Sequence, residues 1–447
     1  MNKNQKNWLI FGILFSLMVI TIGLNSGFEH NFGNIDVSEV NITTDLGLNQ
    51  VGKLYLPKGV DSDNPAPGVL AIHGYNNDKH VQRPHALELA KRGVVVLAVD
   101  CIDHGDSDNG MHVWTTIPYD AYEWLESQEF VSDKTGVVGH SMGAGWARSI
   151  AAANPQIDVI GYQAFGTERL GQTNALTGNS YAVDFAAWGT NWLQISSGME
   201  EFGGRTHEQS PDDWYTYCTE QILLNTQLTG VNDGTGEFFK TYGDVTAGTA
   251  QRYVWLWKTH PGQTHDLTAT REITSFFLQT FFGYSEVDAT AYSHNTTYIY
   301  AEVCGSLSAL FLILSIVPLL SLLLGTGTFG EVKQPMPEIK EELKTNIWVW
   351  WAFATLNFCI GGFVYWFATD APGPGTESIF GNIQEWMFDA NNIATWSTNE
   401  VTGDVLYNLG VANGHLGSYV VNAMINLVFV LGWYFIFGLK NRARGDD

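Results

Sequence analysis

Between about residues 37 and 281 the chain alternates short apolar runs with mixed, helix-like stretches. On either side of that region it carries far longer apolar runs. In the middle region, 37–43 and 52–56 read as a strand hairpin. The charge-free runs at 68–72, 94–99 and 136–139 read as buried strands. Helical patterns fill 81–91, 117–126 and 142–153, the first stopped by Gly93 and the third by Asn154 and Pro155. Further strands are expected at 158–164, 192–197 and 252–257, with a helix at 211–228 and a last amphipathic helix at 267–281. Uncharged strands separated by helices predict a mainly parallel sheet covered on both faces, an α/β fold.

Four longer runs, 8–24, 298–324, 347–368 and 416–439, are each long enough to cross a hydrocarbon core about 30 Å thick. None holds a Lys, Arg, Asp or Glu in its middle, which argues against ion or proton transport. The expected organisation is an N-terminal transmembrane signal anchor at 1–27, an extracytoplasmic domain at 28–290, and a membrane domain at 291–447 with three helices. A cleaved signal peptide is the alternative for the first run; either way 28–290 lies outside.

Charge sharpens this picture. The 447 residues carry 46 acids against 22 bases, a net charge of −24, but only 15% of residues are charged. The bases outside 28–290 form three clusters: Lys3 and Lys6; Lys333, Lys340 and Lys344; and Lys440, Arg442 and Arg444. With four spans all three fall on one side of the membrane, and the excess of positive charge marks it as cytoplasmic. The segment 369–414 has six acids and no base, and 28–290 holds 33 acids against 14 bases. Both are expected to face outward, as are the sequons at Asn41 and Asn295. So acidic a surface excludes nucleic acid as a partner. It also predicts a salty or cation-rich exterior, or poor access for anionic substrates. The lipid bilayer is the expected partner. Of the four cysteines, Cys304 and Cys359 fall in spans, and no bridge is expected between Cys101 and Cys218.

Candidate chemistry sits where the run at 136–139 meets the helix at 142–153. There the sequence reads Gly139, His140, Ser141, Met142, Gly143, a G-x-S-x-G pattern. A sharp strand-to-helix turn needs small residues on both sides of the serine. It lifts the hydroxyl to a helix N-terminus, where free N–H groups and the helix dipole favour negative charge on a reacting oxygen. Two other loops follow apolar strands: His73-Gly74-Tyr75, and Asp100 to Ser107.

With these motifs in this order, residues 37–283 resemble the α/β-hydrolase family. The loop at His73–Tyr75 looks like the family's oxyanion loop. Asp100 to Ser107 is similar to its D-x-x-G-H-G-x-S stretch, with Asp103 in place of Gly. Gly139–Gly143 looks like its nucleophile elbow. The resemblance, loosely closest to dienelactone-hydrolase-like serine esterases, implies Ser141 as nucleophile and an acid and a histidine following in that order. It points to Glu201 as the acid, with Glu200 as the alternative. It points to His265 as the base, with His260 as the alternative. The oxyanion would be held by the N–H groups of Met142 and Tyr75. His85, His104, His112 and His140 read as structural or loop residues. Trp214, Tyr215 and Tyr217 are expected either to line an acyl site or to pack in the core. The expected activity is hydrolysis of a small-molecule or lipid acyl ester, with an acyltransferase or a non-catalytic membrane receptor as alternatives. No cofactor or metal is implied, because the chain has no H-E-x-x-H and no Cys/His pairs at ligand spacing.

Overall fold

A computed structural model describes residues 1–108, 117–163, 170–200 and 211–330. The chain divides into two compact units, 1–333 and 334–447. The apolar runs at 347–368 and 416–439 lie outside the described residues.

The first unit is built on one nine-stranded sheet in the order β1-β2-β4-β3-β5-β6-β7-β9-β8. Its strands are β1 (Ile35–Thr43), β2 (Asn49–Pro57), β3 (Ala66–Ile72), β4 (Val95–Val99), β5 (Val131–His140), β6 (Val159–Gln163), β7 (Asn191–Met199), β8 (Lys240–Tyr242) and β9 (Gln251–Thr259). From β4 through β9 the neighbours pair parallel; β1, β2 and the short edge strand β8 pair antiparallel. The expected hairpin, the five strands after it and the strand at 252–257 are all present. β8, which is three residues long, leaves too little pattern to read from sequence.

Alternation along the strands sends side chains to two cores. In β4, Val95, Leu97 and Val99 join one cluster, while Val96 and Ala98 join the other. The first cluster is closed by α3 (Tyr119–Glu126), α4 (Met142–Ala153) and α5 (Tyr181–Trp188). The second is closed by α2 (Arg83–Ala90) and α7 (Leu267–Phe282). Each fully buried Val, Leu, Ile or Phe contributes about 1.5–3 kcal/mol, so strands covered on both faces are the main source of stability. α6 (Pro211–Leu228) takes the expected bounds. Its Trp214 is fully buried and donates from Nε1 to the Ser197 carbonyl at 2.9 Å, so it is a core residue, whereas Tyr215 stays exposed against Trp255.

Two helices depart from this pattern. α1 (Lys3–Glu29) and α9 (Tyr298–Leu323) are long and apolar enough to cross a membrane, the two such helices among the described residues. Leu9, Ile13, Ile313 and Val317 are exposed, and Thr21 is the one buried residue of α1. Phe28 stacks on Tyr300 with ring centroids 5.4 Å apart. α9 contains the expected Pro318. A short α8 (Glu286–Ser293) connects α7 to it.

Polar contacts from α2 fasten this pair to the core. The buried Glu88 carboxylate pairs with Arg92 at 2.7 Å and accepts the Tyr298 N–H at 2.8 Å, which caps α9 with a negative charge. Arg92 Nη2 donates to the carbonyls of Tyr292 and Asn295 at the end of α8. Arg83 reaches Asn25 of α1 at 3.0 Å and Glu302 of α9 at 3.4 Å. Both helices therefore belong to the same compact unit as the sheet.

Candidate active site

The carboxyl ends of the parallel strands form one edge, and the candidate residues collect there. β5 ends at His140 and α4 starts at Met142, so the whole turn falls on Ser141, with φ 56° and ψ −115°. That conformation is strained for a non-glycine residue and is typical of functional turns. The flanking glycines are forced by crowding. A Cβ on Gly139 would lie 2.1 Å from the Gly143 carbonyl oxygen, and one on Gly143 would lie 2.4 Å from that of Ile72. Any side chain at either position would push α4 away from β3 and β5. Met142 is the first helical residue of α4, where backbone N–H groups have no partner within the helix.

The loop after β3 passes directly over this turn. A Cβ on Gly74 would sit 3.1 Å from Ser141 Cβ and 2.9 Å from His140 Nδ1. The buried His73 anchors the loop. The Cys101 N–H donates to its Nε2 at 3.0 Å, so Nδ1 carries the proton and donates to the Gly74 carbonyl at 2.7 Å. Both bonds require the neutral ring, and burial pulls its pKa down to about 4. Lys79, also buried, ties the same loop to the next one. Its backbone N–H and its Nζ each reach the Asp100 carboxylate at 2.6 Å, and Nζ also reaches Asp106. Asp103 adopts φ 67°, a left-handed conformation that Asp tolerates better than most residues and glycine adopts freely.

The acid–imidazole pair among the described residues is Glu200 with His260. His260 Nδ1 donates to Glu200 Oε2 at 3.0 Å, and both side chains are almost fully buried. Glu200 follows Met199, where β7 leaves the sheet, and His260 follows Thr259 at the end of β9, so neighbouring strands bring the two together. With the proton on Nδ1, the lone pair remains on Nε2. Burial pushes the imidazole down to about 3, so it is neutral at physiological pH. Glu201 and His112 lie outside the described residues. His265 is placed differently: its Nδ1 meets Thr264 Oγ1 at 3.0 Å, and its carbonyl accepts from the Tyr298 hydroxyl at 3.1 Å. It lines a cavity of about 490 Å³ together with Asn76, Asp78, His80, Arg83 and Glu302.

Histidines that read as structural do identifiable work at this edge. His140 Nε2 donates to the His260 carbonyl at 2.9 Å, and the two rings lie 4.6 Å apart, so the residue before Ser141 fixes the backbone of the residue paired to Glu200. His85 Nε2 meets Gln163 Oε1 at 3.1 Å, and the Gln163 carbonyl accepts the Ser141 N–H at 2.9 Å. Gln263 donates to Ser197 Oγ at 2.6 Å. No periodicity announces this buried network. Its one signal in the sequence is polar residues at the ends of otherwise apolar strands. Tyr75 is half-buried, its ring 5.9 Å from that of His104.

Comparison with known proteins adds to this geometry. Residues 51–264 match the family described as X-Pro dipeptidyl-peptidase (S15 family). A serine hydrolase-like protein of Dictyostelium discoideum is 32% identical over 132 residues, 29% of this chain and 34% of the relative. The chain thus spans about a third of the length of that curated relative. Among solved structures, Est1E from Butyrivibrio proteoclasticus with ferulic acid bound is 16% identical, covering 54% of this chain and 98% of its own, with a TM-score of 0.38. The Pyrococcus furiosus esterase Pf2001 is 14% identical, covering 56% and 92%, with a TM-score of 0.39. The strained serine lies between two crowded glycines, at the carboxyl edge of a mostly parallel sheet. With the family match across that region, the chain is similar to serine hydrolases of the α/β type.

Proposed function

We propose that this chain is a membrane-anchored hydrolase of carboxylic esters working through Ser141, His260 and Glu200. The observation that carries the reading is the buried Glu200–His260 hydrogen bond at the strand edge that also holds the Ser141 elbow. In this scheme His260 Nε2 takes the Ser141 hydroxyl proton as Oγ attacks the acyl carbonyl. The N–H groups of Met142 and Tyr75 hold the resulting oxyanion, each such donor worth about 3–4 kcal/mol. His260, now an imidazolium stabilised by Glu200, returns the proton to the leaving alcohol, and water cleaves the acyl-enzyme by the same route. His260 thus takes the role that the family resemblance favoured for His265, and Glu200 the role it favoured for Glu201.

In the same proposal α1 and α9 cross the membrane, with Lys3 and Lys6 on the cytoplasmic side and the sheet outside. Length and composition support this, as do the exposed apolar side chains of both helices. Runs 347–368 and 416–439 add two further spans, which leaves every basic cluster on the cytoplasmic face.

A fluorophosphonate probe tests the chemistry, since it reacts covalently with an activated serine. The wild-type chain labels and Ser141→Ala does not. Equal labelling of both, or labelling of neither, would sink the reading.

A further inference from the structure

The direction in which α9 leaves the core bears on substrate choice. α2 follows the loop after the carboxyl end of β3 and leads into β4, so it runs antiparallel to the strands. Arg83 therefore stands at the catalytic edge and Arg92 at the opposite edge. α9 begins beside Glu88, in the last turn of α2, and meets Arg83 through Glu302. It thus climbs along α2 towards the catalytic edge and continues beyond it. The rest of the helix, 303–323, spans about 31 Å at 1.5 Å per residue, close to the thickness of a hydrocarbon core. α1 lies antiparallel beside it, with Phe28 against Tyr300 and Asn25 against Arg83. The apolar hairpin therefore projects from the edge that carries Ser141.

That edge has the features of a surface laid against lipid. The cavity of about 490 Å³ opens there, walled on one side by Asn76 and Gly105 from the loops after β3 and β4, and on the other by Arg83 and Glu302 at the foot of the apolar span. Asn76 directly follows Tyr75, so the cavity adjoins the proposed oxyanion loop. Leu46 in the β1–β2 turn, Met199 at the end of β7 and Trp257 near the end of β9 are each more than half exposed on the same edge. Trp is a side chain favoured at the lipid–water boundary.

We infer that the catalytic edge faces the bilayer, and that the substrate is an acyl ester of the adjoining leaflet whose polar head enters the cavity between Arg83, Glu302 and the loop after β3. This rests on the membrane anchoring and serine chemistry proposed above. In the ester cleavage the Ser141 Oγ–acyl bond forms as the acyl–oxygen bond of the lipid breaks. The released head alcohol keeps the proton carried by His260, and water then frees the fatty acid.

The test uses the full chain in phosphatidylcholine vesicles and has two arms. In the first, a nitroxide is attached through Leu46→Cys or Val287→Cys. Val287 is exposed at the start of α8, on the edge opposite the catalytic one. The Leu46 label should be shielded from a water-soluble nickel complex several-fold more than the Val287 label; equal accessibility overturns the inference. In the second, release of fatty acid from the vesicles is compared with hydrolysis of p-nitrophenyl acetate, for wild type and Ser141→Ala. Ser141-dependent cleavage of both supports the inference. Cleavage of the soluble ester alone overturns the inference and leaves the proposed function standing. Cleavage of neither overturns both.

Discussion

The sheet core and the α1–α9 hairpin belong to one compact unit and treat their apolar residues in opposite ways. In β4 every side chain is buried between two layers of helix, whereas α1 and α9 leave Leu9, Ile13, Ile313 and Val317 in the open. Under the membrane anchoring proposed above, the same residue types serve two solvents. Water drives the strands together because each buried apolar side chain leaves it. With the proposed anchoring, the hairpin lies in an environment that is itself apolar, where no such drive holds helices to a core. Attachment comes from the buried Tyr298 at the foot of α9 and from polar groups, Arg83 and Glu88 of α2 and Arg92 just beyond it.

The largest expected break in that comparison comes from Glu88→Gln. The change leaves the buried Arg92 without its charge partner and weakens the cap on α9. Losing one partner of a buried pair costs about 3–5 kcal/mol. A melt of the purified protein in detergent should show a lower Tm and earlier proteolysis near residue 297. An unchanged Tm would mean that the hairpin is held some other way.

Next comes a paired substitution. Leu97→Ala in the core should cost about 2–5 kcal/mol. Ile313→Ala on the exposed face of α9 should change detergent stability by less than about 0.5 kcal/mol. Similar losses at both positions, measured by denaturant unfolding, would erase the distinction between the two regions.

A smaller effect per group is expected from acid. Burial pulls His85, His140 and His260 down to about 3 and His73 to about 4, against 6.5 when exposed. Below pH 6.5 the unfolded chain binds protons that the native one refuses. The full stability contributed by these rings is therefore present above pH 6.5. It falls by roughly 1 kcal/mol per ring per pH unit as pH drops from 6.5 towards 4. Melts at pH 7.5, 6.5 and 5.5 should show a steepening loss in the last interval. A flat profile would mean that these rings titrate in the folded state as they do in the unfolded chain.

Much of the fold was legible in the sequence because its strands are short, uncharged and bounded by turns, and because Gly139 and Gly143 flank a serine at a strand–helix junction. What escaped has physical causes. α5 (YAVDFAAW) is apolar apart from Asp184, and α8 (EVDATAYS) alternates polar with apolar residues, so neither sequence shows a helical stripe. Choosing between Glu200 and Glu201 means knowing which side of the chain faces inward where β7 ends. Met199 is exposed and Glu200 buried, an alternation set by the sheet and not by composition. His260 and His265 lie in one loop, but the first pairs with Glu200 and the second lines the cavity beside Arg83 and Glu302, so neighbouring positions meet two environments. The polar network of His140, Gln163 and Gln263 is formed by residues far apart in sequence, and no local pattern joins them. Of the four long apolar runs, two are helices long and apolar enough to cross a membrane among the described residues; the other two lie outside them, so the four-span bundle is a proposal.

The central claim is that His260, paired to Glu200, is the base that activates Ser141. Steady-state hydrolysis of a p-nitrophenyl ester by wild type, His260→Ala and His265→Ala tests it most directly. His260→Ala should lower kcat/KM by about 10⁴-fold or more, and His265→Ala by less than about tenfold, with all three proteins folded at the assay temperature by circular dichroism. A loss of that size in His265→Ala, with His260→Ala near wild type, would contradict the account.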